Sequence, residues 1–142
     1  MHKLTPVIRP LKSRFIYQST DGSYDVEAIV LKVRKSGVLS RHRHPQAVHG
    51  FVLKGKWKYL EHDWWAQEGS YVFEPPGETH TLYVPEDCEE MITYFQVNGI
   101  MYYTDPWGKG MGYEDVFTKI DMCKRHFEAV GLGADYVKQF IR

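Results

Sequence analysis

A chain of 142 residues is long enough for one domain with a substantial core, and an apolar share of 43% lies within the ordinary globular range and excludes intrinsic disorder. Lys plus Arg and Asp plus Glu number 18 each, a formal net charge of +0, so nothing in the bulk charge draws the chain to nucleic acid or an anionic membrane. Met1 to Pro6 lacks the apolar core of a secretory signal, no run approaches the ~18 apolar residues of a membrane span, and the only cysteines are Cys88 and Cys123, which together predict a cytoplasmic protein with reduced thiols.

The stretch 1–23 carries Pro6 and Pro10 and reads as an arm or an edge strand, because proline is excluded from central strands. From Tyr24 to about residue 104 the pattern is short strand, turn, short strand. Glu27 to Val33 is aliphatic and β-branched and stops at Ser36-Gly37. Gly50 to Leu53 runs through Lys54-Gly55 into Lys56 to Leu60. Ser70 to Phe73 lies between Gly69 and Pro75-Pro76-Gly77, Thr81 to Val84 ends at Pro85, and Met91 to Val97 ends at Asn98-Gly99. Strands at this spacing, punctuated by Gly and Pro, predict an all-β sandwich or barrel. Over 113–142 the period changes to three and four. Val116, Ile120, Cys123, Phe127 and Val130 form one helical stripe stopped by Gly131, and a second short helix is expected from Ala134 to Ile141. Both helices would cover an open face or edge of the barrel within a single domain, 1–142.

His42-Arg43-His44 places two imidazoles at i and i+2, on one face of a strand, where both rings reach a common point. Alone this is a weak metal signal. Gly69, Pro75, Gly77 and His80 then follow the spacing G-x5-P-x-G-x2-H, which sets His80 at the start of the next strand after two turns. With Gly37 before the first pair and Gly55 after it, these positions resemble the two sequence motifs of the cupin superfamily, in order, over Gly37 to Val84. The resemblance implies a single-domain cupin barrel, a double-stranded β-helix or jelly roll, holding one metal ion with His42, His44 and His80. Two departures stand out: four residues rather than five separate Gly37 from His42, and Val84 replaces an asparagine. A third departure matters more. Cupins usually add a glutamate ligand after the histidine pair. Counting back from Gly55 that position is Val48; counting forward it is His49. Neither is a carboxylate. Val48 is favoured, because the turn glycine fixes strand register, and His49 then points to the opposite face as a hydrogen-bonded or supporting histidine. Glu74, just before the prolines, is either a supporting group behind the ligands or exposed.

Three neutral imidazoles leave a divalent ion's charge uncompensated, which favours an anionic oxygen chelate such as an enolate. Octahedral Fe(II) would keep about three positions beyond three protein ligands. Zn(II), Ni(II) or Mn(II) fits the same donors. The runs Arg41 to His44, Gly55 to Glu61, Phe73 to Gly77 and Gly131 to Val137 resemble the 2,4'-dihydroxyacetophenone dioxygenase group, related in its three-histidine iron site to the acetylacetone dioxygenases. That resemblance implies Fe(II)- and O₂-dependent cleavage of a carbon–carbon bond in a small hydroxyketone or β-diketone. The alternatives are a non-catalytic metal-binding cupin, acting as sensor or binding module, and an O₂-independent metal-dependent isomerase or hydrolase. A pocket for the ketone is expected from Val48, Trp57, Tyr59, Tyr71, Phe73 and Tyr94, with Arg41 and Arg43 on the face away from the ligands. Cupins often pair, so a homodimer or homotetramer is expected, formed through sheet edges.

Overall fold

The computed structural model describes residues 16–18 and 25–141. Its elements are β1 (Ile16–Gln18), β2 (Asp25–Val33), β3 (Gly37–Arg43), β4 (Val48–Lys54), β5 (Lys56–Tyr59) and β6 (Ala66–Gln67). They continue with β7 (Tyr71–Glu74), β8 (Thr79–Val84), β9 (Met91–Asn98), β10 (Met101–Thr104), β11 (Gly110–Glu114), helix α1 (Val116–Ala129) and a 3-10 helix (Ala134–Phe140). The strands form two antiparallel sheets, one ordered β1-β2-β9-β4-β7 and the other β11-β10-β3-β8-β5-β6. Sequence neighbours are repeatedly separated within a sheet, the crossing pattern of a jelly roll. Of the N-terminal arm, Ile16–Gln18 is an edge strand on β2; the rest of that expectation lies outside the described residues.

Alternation writes the core. Along β9 buried and half-buried residues alternate without a break, with Met91, Thr93, Phe95 and Val97 inward. These meet Val48 and Val52 of β4, Trp57 and Tyr59 of β5, Val72 of β7, and Leu82 and Val84 of β8. Trp57 is fully buried and its indole N–H donates to Thr93 Oγ1 at 2.9 Å, so the largest interior ring carries no unmet polar atom. Cys88 and Cys123 are buried free thiols.

Three short strands escaped the pattern: β6, β10 and β11. The last is a solvent-exposed edge with glycines at alternate positions, so it offers no apolar alternation to read. Helix α1 begins at a capping box in which Asp115 and Thr118 satisfy each other's backbone N–H groups. Its stripe Val116, Ile120, Cys123 and Phe127 packs on Val137 of the 3-10 helix to form a second, smaller core. Val130, expected in that stripe, caps the helix and is 55% exposed; the stripe ends one turn sooner because Gly131, at φ 81°, already turns the chain away. The helix touches β2 of one sheet and β11 of the other, spanning the open side between them. No helix among the described residues is long and apolar enough to cross a membrane.

Gly55 makes the tight β4–β5 turn with φ 74°. A Cβ there would lie 2.8 Å from Cys88 Sγ and closer still to the Glu90 carbonyl oxygen. Gly55→Ala is therefore expected to cost about 2–4 kcal/mol, from left-handed strain and overpacking together. Urea unfolding checks this; a loss below about 1 kcal/mol at unchanged slope would contradict the turn geometry.

Candidate metal centre

The strand β3 presents its residues alternately, so Arg41 and Arg43 face outward while His42 and, just beyond the strand, His44 face in. Their relative exposures are 5% and 4%. Strand β8 pairs antiparallel with β3 in a register that sets His80 directly opposite His42. His80 is fully buried, and Nε2 of His42 and Nε2 of His80 lie 3.2 Å apart. One ligand atom from each of the three rings falls within 4.8 Å of the others. Metal–nitrogen bonds of about 2.0–2.1 Å give a coordination edge of roughly 2.9–3.4 Å, which the His42–His80 separation matches.

The rings are held from behind. Ser40, two residues back on β3, places Oγ 3.0 Å from His42 Nδ1, engaging that nitrogen and leaving Nε2 toward the centre. The ring of Tyr59 lies flat on His80, with centroids 3.8 Å apart and planes 9° from parallel. On the other side of the site Gly77, in the β7–β8 turn, donates its N–H to the His44 carbonyl oxygen at 2.7 Å.

Of the two readings of Glu74, the structure selects the supporting group over the exposed one. A carboxylate does stand beside the histidines: Glu74, the last residue of β7, is 3% exposed and points inward. Its Oε2 lies 3.3 Å from His80 Nε2 and 3.7 Å from His44 Nε2. Its Oε1 accepts a hydrogen bond from the Tyr59 hydroxyl. In register, Glu74 is the cross-strand partner of Val48. The acidic group missing from β4 thus enters the same region from the neighbouring strand. Position alone left both readings open, because a residue abutting a double-proline turn reads equally well as exposed.

Burial sets the electrostatics. His42 is held well below its ordinary range by desolvation, with His80, His44 and Lys119 of α1 pushing the same way. His44 falls to about 4, chiefly through burial; a backbone hydrogen bond with Ile100 opposes this and Lys119 adds to it. His80 falls to about 3, again led by burial. All three rings are therefore neutral near pH 7, the form that binds a metal. Burial raises Glu74 to about 7, against the pull of the Tyr59 hydrogen bond. The Tyr59 phenol is raised by burial and by Glu74. Glu74 Oε2 and His80 Nδ1 are buried with no hydrogen-bond partner among the described residues. An acceptor left open beside neutral imidazoles is what a cation or a bound polar ligand would satisfy, so the donor set fits a divalent metal.

The expected pocket divides in two. Val48, Trp57 and Tyr59 face the interior, at 1%, 0% and 2% exposure. Tyr71 and Phe73, each 53% exposed, and Tyr94 face outward, so they line no interior pocket. Parity tells that Tyr71 and Phe73 share a face but not which; the inward Val72 and Glu74 decide it. His49 is also on the outer face, its Nδ1 2.7 Å from the Tyr71 hydroxyl, and supports no ligand. Ser40 and Lys119 escaped the sequence reading: a hydroxyl at i−2 from a histidine was a usable signal, whereas Lys119 comes from a distant helix.

Two facing antiparallel sheets with inward histidines on β3 and β8 define a cupin with a three-histidine site suited to a transition metal. The chain belongs to the family described as the ChrR cupin-like domain, whose model matches residues 17–101. An RmlC-like cupin protein from Ralstonia eutropha JMP134 is similar in structure, with 29% identity, a TM-score of 0.72, and coverage of 75% of this chain and 69% of that one. A second cupin-like protein from the same organism has 22% identity, a TM-score of 0.72, and coverage of 75% and 67%. An acetylacetone dioxygenase from Acinetobacter johnsonii has 16% identity, a TM-score of 0.63, and coverage of 86% and 93%. At such identities the last two likenesses concern the fold alone. No curated protein matches in sequence.

His80→Ala should abolish stoichiometric metal binding, while His49→Ala should keep it; metal content of the purified variants checks both, and full metal in His80→Ala would refute the ligand set. The same ring also sets a pH dependence. Unfolded, it takes a proton near 6.5; folded, not until about 3. The metal-free protein should therefore lose stability as pH falls from about 6.5, and more so than the His80→Asn variant. Parallel stability profiles for the two proteins between pH 6.5 and 4 would contradict the burial argument.

Proposed function

We propose that this cupin is a non-haem Fe(II)-dependent dioxygenase that cleaves a carbon–carbon bond of a small hydroxyketone or β-diketone, with His42, His44 and His80 as the metal ligands. The observation that carries the reading is the convergence of three buried, neutral imidazoles on one point. The likeness in fold to an acetylacetone dioxygenase over most of both chains supports it. Bound there, Fe(II) supplies Lewis acidity toward an oxygen chelate and electron density for O₂. Both oxygen atoms enter the products, and a hydroxyketone gives two carboxylic acids.

The chain's own groups do the rest. Ser40 and the Tyr59 ring fix the orientations of His42 and His80. Val48, with no donor, pairs with Glu74 across the sheet and belongs with Val97, Phe95 and Trp57 to the apolar core. Glu74 offers Oε2 at the edge of the site. Protonated, it leaves the ion's charge for an anionic substrate; ionised, it offsets one unit of that charge. Without metal, burial raises its pKa to about 7, and a cation bound beside it would favour the ionised form.

That same carboxylate favours a second reading. If Oε2 completes the coordination sphere, the site closes as a tetrahedral Zn(II) centre and the protein is a non-catalytic metal-binding cupin. Metal quantification followed by assay separates the two. Protein reconstituted with Fe(II) should consume O₂ with aromatic or aliphatic hydroxyketones or β-diketones. Silence across such a panel with iron fully loaded, or turnover without O₂, would overturn the dioxygenase reading. Glu74→Gln is expected to weaken metal binding by about 10–100-fold, the range for a group supporting the ligands. A much larger loss, with Zn(II) retained by the wild type, would indicate the closed site.

A further inference from the structure

His42, His44, His80 and Glu74 are all buried. Two surface clefts, one beside His49 and Phe51 and the other between Lys54 and Glu90, take in none of them. A ketone, or a metal ion on its way in or out, therefore needs a wall of the site to move. The strands β3, β4, β7, β8 and β9 cannot supply that movement, because long backbone ladders join them and most share the main core. Helix α1 and the 3-10 helix can. Val116, Ile120, Cys123 and Phe127 pack against Val137 in a core of their own, separate from the one between the sheets, so the pair can shift as a unit without unpacking the barrel.

Register brings that unit to the centre. Strand β10 lies against β3 with Tyr103 opposite His42, their ring centroids 6.0 Å apart. Strand β11 lies next, with Glu114 opposite Met101. Lys119, one turn into α1, has a side chain only 13% exposed and bonds to Glu114. Its charge acts on both His42 and His44. The joint between strand and helix is suited to bending. Strand β11 is exposed along most of its length. Gly112 stands in it at φ 110°, with open space where a side chain would lie. Asp115 is extended and caps the helix.

We propose that α1 and the 3-10 helix form a lid over the metal centre, hinged between Gly112 and Asp115 and latched shut by the Lys119–Glu114 ion pair. The lid rests on His42, His44 and His80 being the metal ligands, and it holds whether or not the metal is catalytic. Hinges are placed where an element ends and little packing has to part, which describes the end of β11. Opening carries Lys119 away from the histidines and uncovers His42 and His44, which lie toward β10 and the helix, while His80 stays under the ring of Tyr59.

The charge of Lys119 and its bond to Glu114 act in opposite senses. Removing a cation near the centre should hold a divalent ion more tightly, whereas removing the latch should release the ion sooner. Protein loaded with Zn(II) and mixed with excess chelator should lose its metal about 10-fold faster as Lys119→Met than as wild type, the scale of a partly buried ion pair. Hydrogen exchange needs no metal. In the variant the amides of α1 and the 3-10 helix should exchange faster together, with those of β3 and β8 unchanged. Should Lys119→Met fold poorly, Glu114→Gln serves for the same exchange comparison. Metal loss at or below the wild-type rate, or helix amides that open only together with β3 and β8, would overturn the lid. A protein that takes up no Zn(II) yet shows the helices opening as a unit would support the lid and overturn the ligand set.

Discussion

The direct opposition of His42 and His80 across β3 and β8 is the constraint from which the site follows. Each ring sits where the pleat turns its side chain inward, so neither can leave the interior without slipping the pairing by a residue, which would turn the whole strand inside out. Burial then removes water from the rings, and the absence of water keeps them uncharged. Backbone register and desolvation thus produce a pair of lone-pair donors before any metal arrives, and His44 joins them from the end of the same strand.

Around that pair the protein assembles opposing electrostatic sides. Glu74 and Tyr59 share a hydrogen bond on one, while the field of Lys119, itself paired with Glu114, reaches His42 and His44 from helix α1. The helix therefore contributes charge to the centre as well as covering the seam between sheets. No carboxylate stands on β4 beside the histidines, but Glu74 of β7, the cross-strand partner of Val48, brings one to the same region, and burial raises its pKa in the metal-free site.

How much of this was legible in the sequence depended on whether position or orientation was at stake. Alternation placed His42 and His44 on one face, and the glycines and prolines around β7 brought His80 to meet them, because turns and pleats are local properties. Alternation pairs residues without saying which side is the interior. Tyr71, Phe73 and Tyr94 were therefore grouped correctly along their strands and assigned to the wrong side of the sheet. Strand β11 has glycine where a side chain would have carried the signal, and the prolines beside Glu74 left its inward and exposed readings undecided. In each case the deciding information lay in another strand.

The hydrogen bond from the Gly77 amide to the His44 carbonyl has a wider implication. It ties the turn between β7 and β8 to the peptide of a residue more than thirty positions earlier, and that same turn is flanked by Glu74 on one side and His80 on the other. Donors from distant parts of the chain are thereby mounted on a single rigid bracket. An insertion or a loosened proline in this turn would disturb several inward-facing donor atoms at once, so the bracket, though it supplies no donor of its own, sets the geometry of the site.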